Sequence, residues 1–234
     1  MTRKAAHYLI AALLAVLAVS AGRVVANATP PVEPGKFYDT SYTTEGFNYK
    51  IVVPNVGIDG VDGPLYNARQ DFNNNMDGFA AQFIRNYVDE HTSVMPATNY
   101  LYLGKNVLSG KIGVEVFAEG AAHGFDDYAT HNTNTLTGEP ISLTDLFTDL
   151  ESGLESLSYY SKSFLTTKYG ADGYDATAVE PVYRNFHNWA VAEDGMRIYF
   201  GEIASHAAGN VMITLPWGVF HGVFNPAMKD VVGA

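Results

Sequence analysis

Apolar residues recur at three- and four-residue steps in two parts of the chain. In the first, Leu65, Ala68, Phe72, Met76, Phe79, Ala80, Phe83, Ile84 and Tyr87 fall on one stripe, behind a proline at position 64 suited to opening a helix. Asn73, Asn74 and Asn75 sit on its polar side, and Gly78 weakens its middle. In the second, Leu150, Leu154, Leu157, Ser161, Phe164 and Leu165 mark a helix ending near Tyr169-Gly170. Ser142-Leu143-Thr144-Asp145, just before it, has the form of a capping box.

Elsewhere the pattern is that of strands. The segment 47–56 is β-branched and aromatic and stops at Pro54. The segments 99–102, 107–117, 125–134, 183–192, 196–201 and 210–215 read the same way. Ile112, Val114 and Val116 alternate with Lys111, Gly113 and Glu115, the two-residue period of a half-buried strand. Glu193-Asp194-Gly195 is a hairpin turn. The expected fold class is α+β, with two amphipathic helices covering one face of a mainly antiparallel sheet. Phe72, Phe79, Phe83, Leu154, Leu157, Trp189, Ile198, Phe200, Val211 and Ile213 are the expected core.

The N-terminus adds an address. Arg3-Lys4, an apolar run over 8–21 and Ala26-Asn27-Ala28 have the layout of a signal peptide cleaved after residue 28. The expected organisation is a signal peptide over 1–28, an extended tether over 29–46, a single domain over 47–224 and a tail over 225–234. The expected location is extracellular or in the cell envelope. The first 28 residues hold three basic residues and no acid, so cleavage takes the formal charge from −11 to −14. That balance excludes nucleic acid as a partner, which needs a positive patch. The chain has no cysteine, so disulfides, thiolate metal sites and cysteine catalysis are excluded.

Three ordered segments carry a family resemblance. One holds Gly120-Ala121-Ala122-His123, then 132–138, then Ile141-Ser142-Leu143-Thr144-Asp145-Leu146-Phe147. The next runs from Asn185-Phe186 through Asp194-Gly195 to Phe200. The last is Ala207-Ala208-Gly209 leading to Pro216-Trp217. Together they resemble the extracytoplasmic domain of the RsiV-type anti-sigma factors and the secreted immunogenic antigens of mycobacteria, a family named for having no known function. The resemblance implies a secreted binding domain, with a basic lysozyme-like protein or an envelope glycan as partner and no cofactor. Ser205-His206 stands where the family has a proline-aromatic pair.

Candidate chemistry is thin. His123, with Asp126, Asp127 and His131 near it, has the residue types of a metal or ligand site, set against a histidine that pins a loop. Full extension puts His123 and His131 about 26 Å apart, so one ion reaches both only if the chain folds back. Tyr169 and Tyr174, in an aromatic Gly/Asp-rich loop, and His206 are the other binding candidates. A secreted short-chain ester hydrolase is the alternative function, but no Gly-x-Ser-x-Gly elbow supports it. Ser109, Ser152 and Ser205 are the serines in suggestive settings. No catalytic residue is assigned, and the protein is expected to bind rather than catalyse.

Overall fold

The computed structural model describes residues 36–59 and 63–234, so the signal segment and most of the proline-rich stretch lie outside the described residues. The strands are β1 (Phe37–Asp39), β2 (Tyr42–Gly46), β3 (Tyr49–Val53), β4 (Val56–Ile58), β5 (Thr92–Pro96), β6 (Tyr100–Leu103), β7 (Val107–Ala118), β8 (Phe125–Asn134), β9 (Glu139–Pro140), β10 (Trp189–Ala192), β11 (Gly195–Gly201) and β12 (Val211–Leu215). The helices are α1 (Pro64–Tyr87), α2 (Leu143–Leu146), α3 (Leu150–Tyr169), α4 (Tyr183–Phe186) and α5 (Lys229–Val232). This is an α+β fold with mostly antiparallel pairing.

The larger sheet runs β2-β3-β5-β7-β8-β9, with β6 also paired to β7. Its one parallel pair is β3 with β5, through Tyr49 and Val94. A parallel neighbour needs a long crossover, and α1 supplies it. Ala68, Phe72, Met76, Ala80 and Phe83 are the buried stripe of α1. They meet Leu108, Ile112, Val114 and Val116 of β7 in one core. Gly110 sits beneath this contact, and a Cβ there would lie 2.7 Å from the Phe72 ring and 2.9 Å from the Met76 methyl. Bare backbone is what lets the helix settle on the strand.

A second layer is the meander β10-β11-β12. Here α3 packs, and Leu157, Leu165, Phe186, Trp189, Ile198 and Phe220 form a separate core. The two amphipathic helices therefore cover two different sheets. Asp149 caps α3 by accepting from the Ser152 amide, while the Ser142–Asp145 capping box opens the short α2. The β10–β11 hairpin closes at Gly195, where φ is 150° and a Cβ would stand 2.2 Å from the Leu215 carbonyl oxygen.

Several expectations need correction. The segment expected as one strand over 183–192 begins as helix α4. Asn185 bonds back to the carbonyls of Thr177 and Glu180, which holds the chain in a turn, and Phe186 is buried edge-on to Phe200. Phe79 and Phe200 are only partly buried. Within the expected tether, β1 pairs with β4 and β2 with β3. Within the expected tail, Val231 and Val232 are buried. No helix among the described residues is long and apolar enough to cross a membrane.

Candidate functional site

The site grows out of the junction between the layers. In β7, residues 108, 110, 112 and 114 serve the α1 core, so Ser109, Lys111 and Gly113 point the other way. In β8 the register sets Asn132 opposite Ser109, Thr130 opposite Lys111 and Tyr128 opposite Gly113. This face is polar, and what docks on it is the outer edge of β10. The Trp189 amide donates to Thr130 Oγ1 at 3.0 Å, and the Trp189 carbonyl accepts from Asn132 Nδ2 at 3.0 Å. The Val191 amide donates to Ser109 Oγ at 2.8 Å, and the Val191 carbonyl accepts from the Tyr100 hydroxyl at 3.0 Å. Ser109 in turn donates to Asn132 Oδ1 at 2.6 Å. Side chains thus satisfy an edge that would otherwise be bare.

Beside this junction lies a cleft of about 360 Å³ between β7/β8 and β11/β12. Lys111 enters it nearly fully buried, at 9% exposure. Its ammonium donates to the Thr98 carbonyl and lies 5.4 Å from the ring centres of both Tyr128 and Tyr199. The two rings are 5.9 Å apart and tilted by 53°. Asp126 and Asn210 stand at the rim, bonded to each other. Two glycines keep the space open. At Gly113 a Cβ would lie 2.8 Å from the Thr98 oxygen and 3.1 Å from Lys111 Nζ. At Gly201, which follows a register shift in β11 and has φ 69°, it would lie 3.3 Å from the Tyr128 hydroxyl.

The electrostatics follow from burial. Desolvation pushes the Lys111 ammonium below the usual lysine range, and the Asp126 carboxylate draws it part of the way back. Burial pushes the Tyr128 phenol up, helped by the Asp127 carboxylate and by Tyr199. Burial also raises Tyr199, to about 12, against the opposing Arg197 guanidinium. Both phenols therefore keep their protons at neutral pH and remain hydrogen-bond donors.

The candidates named from the sequence divide. Asp126 and Asp127 both border the cleft. They face opposite sides of β8, however, and Asp127 accepts from the Tyr87 hydroxyl at 2.7 Å on the α1 side. His123 is exposed, with Nδ1 2.9 Å from the Gly124 carbonyl oxygen. His131 is drawn away to Asp71, 2.7 Å from Nε2, where Thr133 also donates, and this pins α1 to β8. Tyr169 and Tyr174 pack against the second core. The backbone of His206 lies in a 3₁₀ turn, and its side chain is outside what the structure describes. Among the serines, Ser109 is locked in the junction and Ser152 serves the α3 cap. Sequence reading missed Tyr128, Tyr199 and Asn210, and placed Lys111 on the polar side of a half-buried strand, where the structure buries it.

No family model matches the chain, and no curated protein matches it. Solved structures do. A DUF3298 family member from Bacteroides fragilis aligns with a TM-score of 0.57 at 15% identity, over 85% of this chain and 98% of that one. A DUF3298 family protein from Pseudomonas aeruginosa PAO1 aligns with a TM-score of 0.54 at 11% identity, over 83% and 96%. The likeness is one of fold, and that fold is shared with a domain of unknown function.

Proposed function

We propose that the protein is a secreted, non-catalytic binding domain of the RsiV-like type, and that a basic extracellular protein is its partner, engaged at the cleft between the two sheets. Charge carries this reading: 25 acidic residues stand against 14 basic ones. A field of that sign raises the encounter rate with a basic partner and repels acidic ones. The resemblance to lysozyme-binding domains and to secreted antigens agrees with it. A second reading, an envelope glycan, is favoured by the cleft itself. Its tyrosine walls suit the apolar face of a sugar ring, and Asp126 and Asn210 suit hydroxyls.

The experiment uses the secreted protein, whose first residue should be Thr29 by mass spectrometry. Immobilised protein is titrated with a lysozyme-like protein and with soluble envelope glycan at about 50 and about 500 mM salt, which shortens the screening length severalfold. Binding of the basic protein that weakens with salt and with Tyr199→Ala is expected. Absence of binding by both partners refutes the reading, and salt-indifferent binding removes its electrostatic basis.

A further inference from the structure

We infer that the cleft is a carboxylate-recognition site, with Lys111 Nζ and the Tyr128 hydroxyl holding a single carboxylate group presented by the partner. This rests on the cleft being where the partner binds. Lys111 is a nearly buried cation on the central strand of the large sheet, and no carboxylate among the described residues forms an ion pair with it. Its one hydrogen-bond acceptor among the described residues is a backbone carbonyl, which leaves two of its three N–H donors for another group. Buried charges are ordinarily paired, because an unpaired one loses its hydration for nothing in return. The two tyrosine faces offset part of that loss.

Asp126 acts on Lys111 from beyond ion-pair distance, and the rest of the cleft fits a closer counter-ion. Tyr128 keeps its proton, and its hydroxyl makes no hydrogen bond among the described residues. Asn210 spends one N–H on Asp126 and has another. The glycines at 113 and 201 leave room beside Lys111 Nζ and the Tyr128 hydroxyl respectively. Asp126 sets the charge of that group. It stands close enough to act on Lys111, so any anion bound here also meets its repulsion, and a dianion such as phosphate meets about twice that of a single negative charge. The volume suits one amino-acid residue or one sugar ring. The sign of this site opposes the sign of the whole molecule. A basic partner is attracted at long range, and only one that offers a carboxylate at short range is held, which is discrimination by two opposed tests.

The test maps ligand-induced NMR shifts at the amides of Gly113 and Gly201 in the full secreted protein. The probes are an N-acetylated dipeptide with a free C-terminus, the same dipeptide amidated, glucuronate, glucose and inorganic phosphate. The variants are Lys111→Met and Tyr128→Phe, each first shown by thermal melting to fold. The free-acid dipeptide should bind about ten- to a hundredfold more tightly than its amide, the worth of one charge-assisted hydrogen bond. Each variant should erase most of that preference, and Tyr128→Phe serves alone if Lys111→Met does not fold. Equal binding of acid and amide overturns the carboxylate inference and leaves the cleft as a binding site. Phosphate bound as tightly as the acid overturns it too. No shift with any probe overturns the cleft as the site and the inference with it. Preference for glucuronate over the free-acid dipeptide upholds carboxylate recognition and transfers the partner from protein to glycan.

Discussion

The polar junction that seats β10 on β7/β8 lends itself to a quantitative test. Ser109 and Asn132 are 0% and 3% exposed, so water does not replace a bond lost there. Asn132→Leu keeps the volume and strands two groups, the Trp189 carbonyl and the Ser109 hydroxyl proton. A buried polar group left unpaired costs about 1–3 kcal/mol, so the pair costs about 2–6 kcal/mol. Ser109→Ala is milder. It removes the 2.8 Å acceptor of the Val191 amide, but Asn132 Oδ1 still accepts from that amide at 3.3 Å. The expected loss is about 1 kcal/mol. In the double variant the stranded groups are the Trp189 carbonyl and the Val191 amide, again two. Ser109→Ala should therefore be almost neutral once Asn132 is gone, and the coupling should be about 1 kcal/mol. Urea unfolding of the four proteins measures the cycle. Strictly additive losses, or a cost below about 0.5 kcal/mol for Asn132→Leu, would refute the network as drawn.

Further outcomes follow from the same geometry. Phe83→Ala, at a site 4% exposed beneath α1, should lower stability by about 3–5 kcal/mol, and an unchanged melting temperature would show the helix face to be misassigned. Gly195→Ala drives a Cβ into the Leu215 carbonyl and should cost about 1–3 kcal/mol or more, read from the melting temperature. Tyr87 and Tyr199 titrate near 12 when folded against 10.0 ordinarily, so their stabilisation is complete below pH 10 and lost as pH climbs towards 12. Tyrosinate absorbance followed beside unfolding should show that order, and Tyr199→Phe should blunt the alkaline loss. Lys111 has the opposite sign: its folded pKa lies below 10.5, so the cost of its charge is relieved as pH rises through the folded value.

Where local pattern and tertiary contact agree, the sequence was legible. The stripe from Ala68 to Phe83 faces a single core, so its period survives in the structure. The strands over 107–117 and 125–134 fall within a residue of β7 and β8 for the same reason. Asp-Gly turn chemistry placed the β10–β11 hairpin, although the close approach of Leu215 that makes Gly195 necessary comes from a strand twenty residues away. Legibility fails where partners are remote. Thr92–Pro96 is a strand because β7 and β3 flank it, and its own residues show no alternation. Tyr183–Phe186 is β-prone in composition but is bent into a helical turn by the side chain of Asn185.

The cleft was illegible for a more general reason. A two-residue period reports that one side of a strand is polar, and it does not report what lies opposite. Ser109, Lys111, Thr130 and Asn132 form a pattern that normally means solvent. Here it means a strand edge, whose outward amides and carbonyls demand donors and acceptors where a sheet face would demand apolar side chains. Ser109, Thr130 and Asn132, with the Tyr100 hydroxyl on the Val191 carbonyl, meet that demand. Next along the same face come Lys111, Tyr128 and Asp126, and there the described hydrogen bonds bring no β10 backbone group to meet them. The polar face continues past the edge it was matched to, and the glycines at 113 and 201 hold the remainder open. A binding cleft at this point is the geometric remainder of joining two sheets through an edge, and Lys111 is its one buried cation among the described residues.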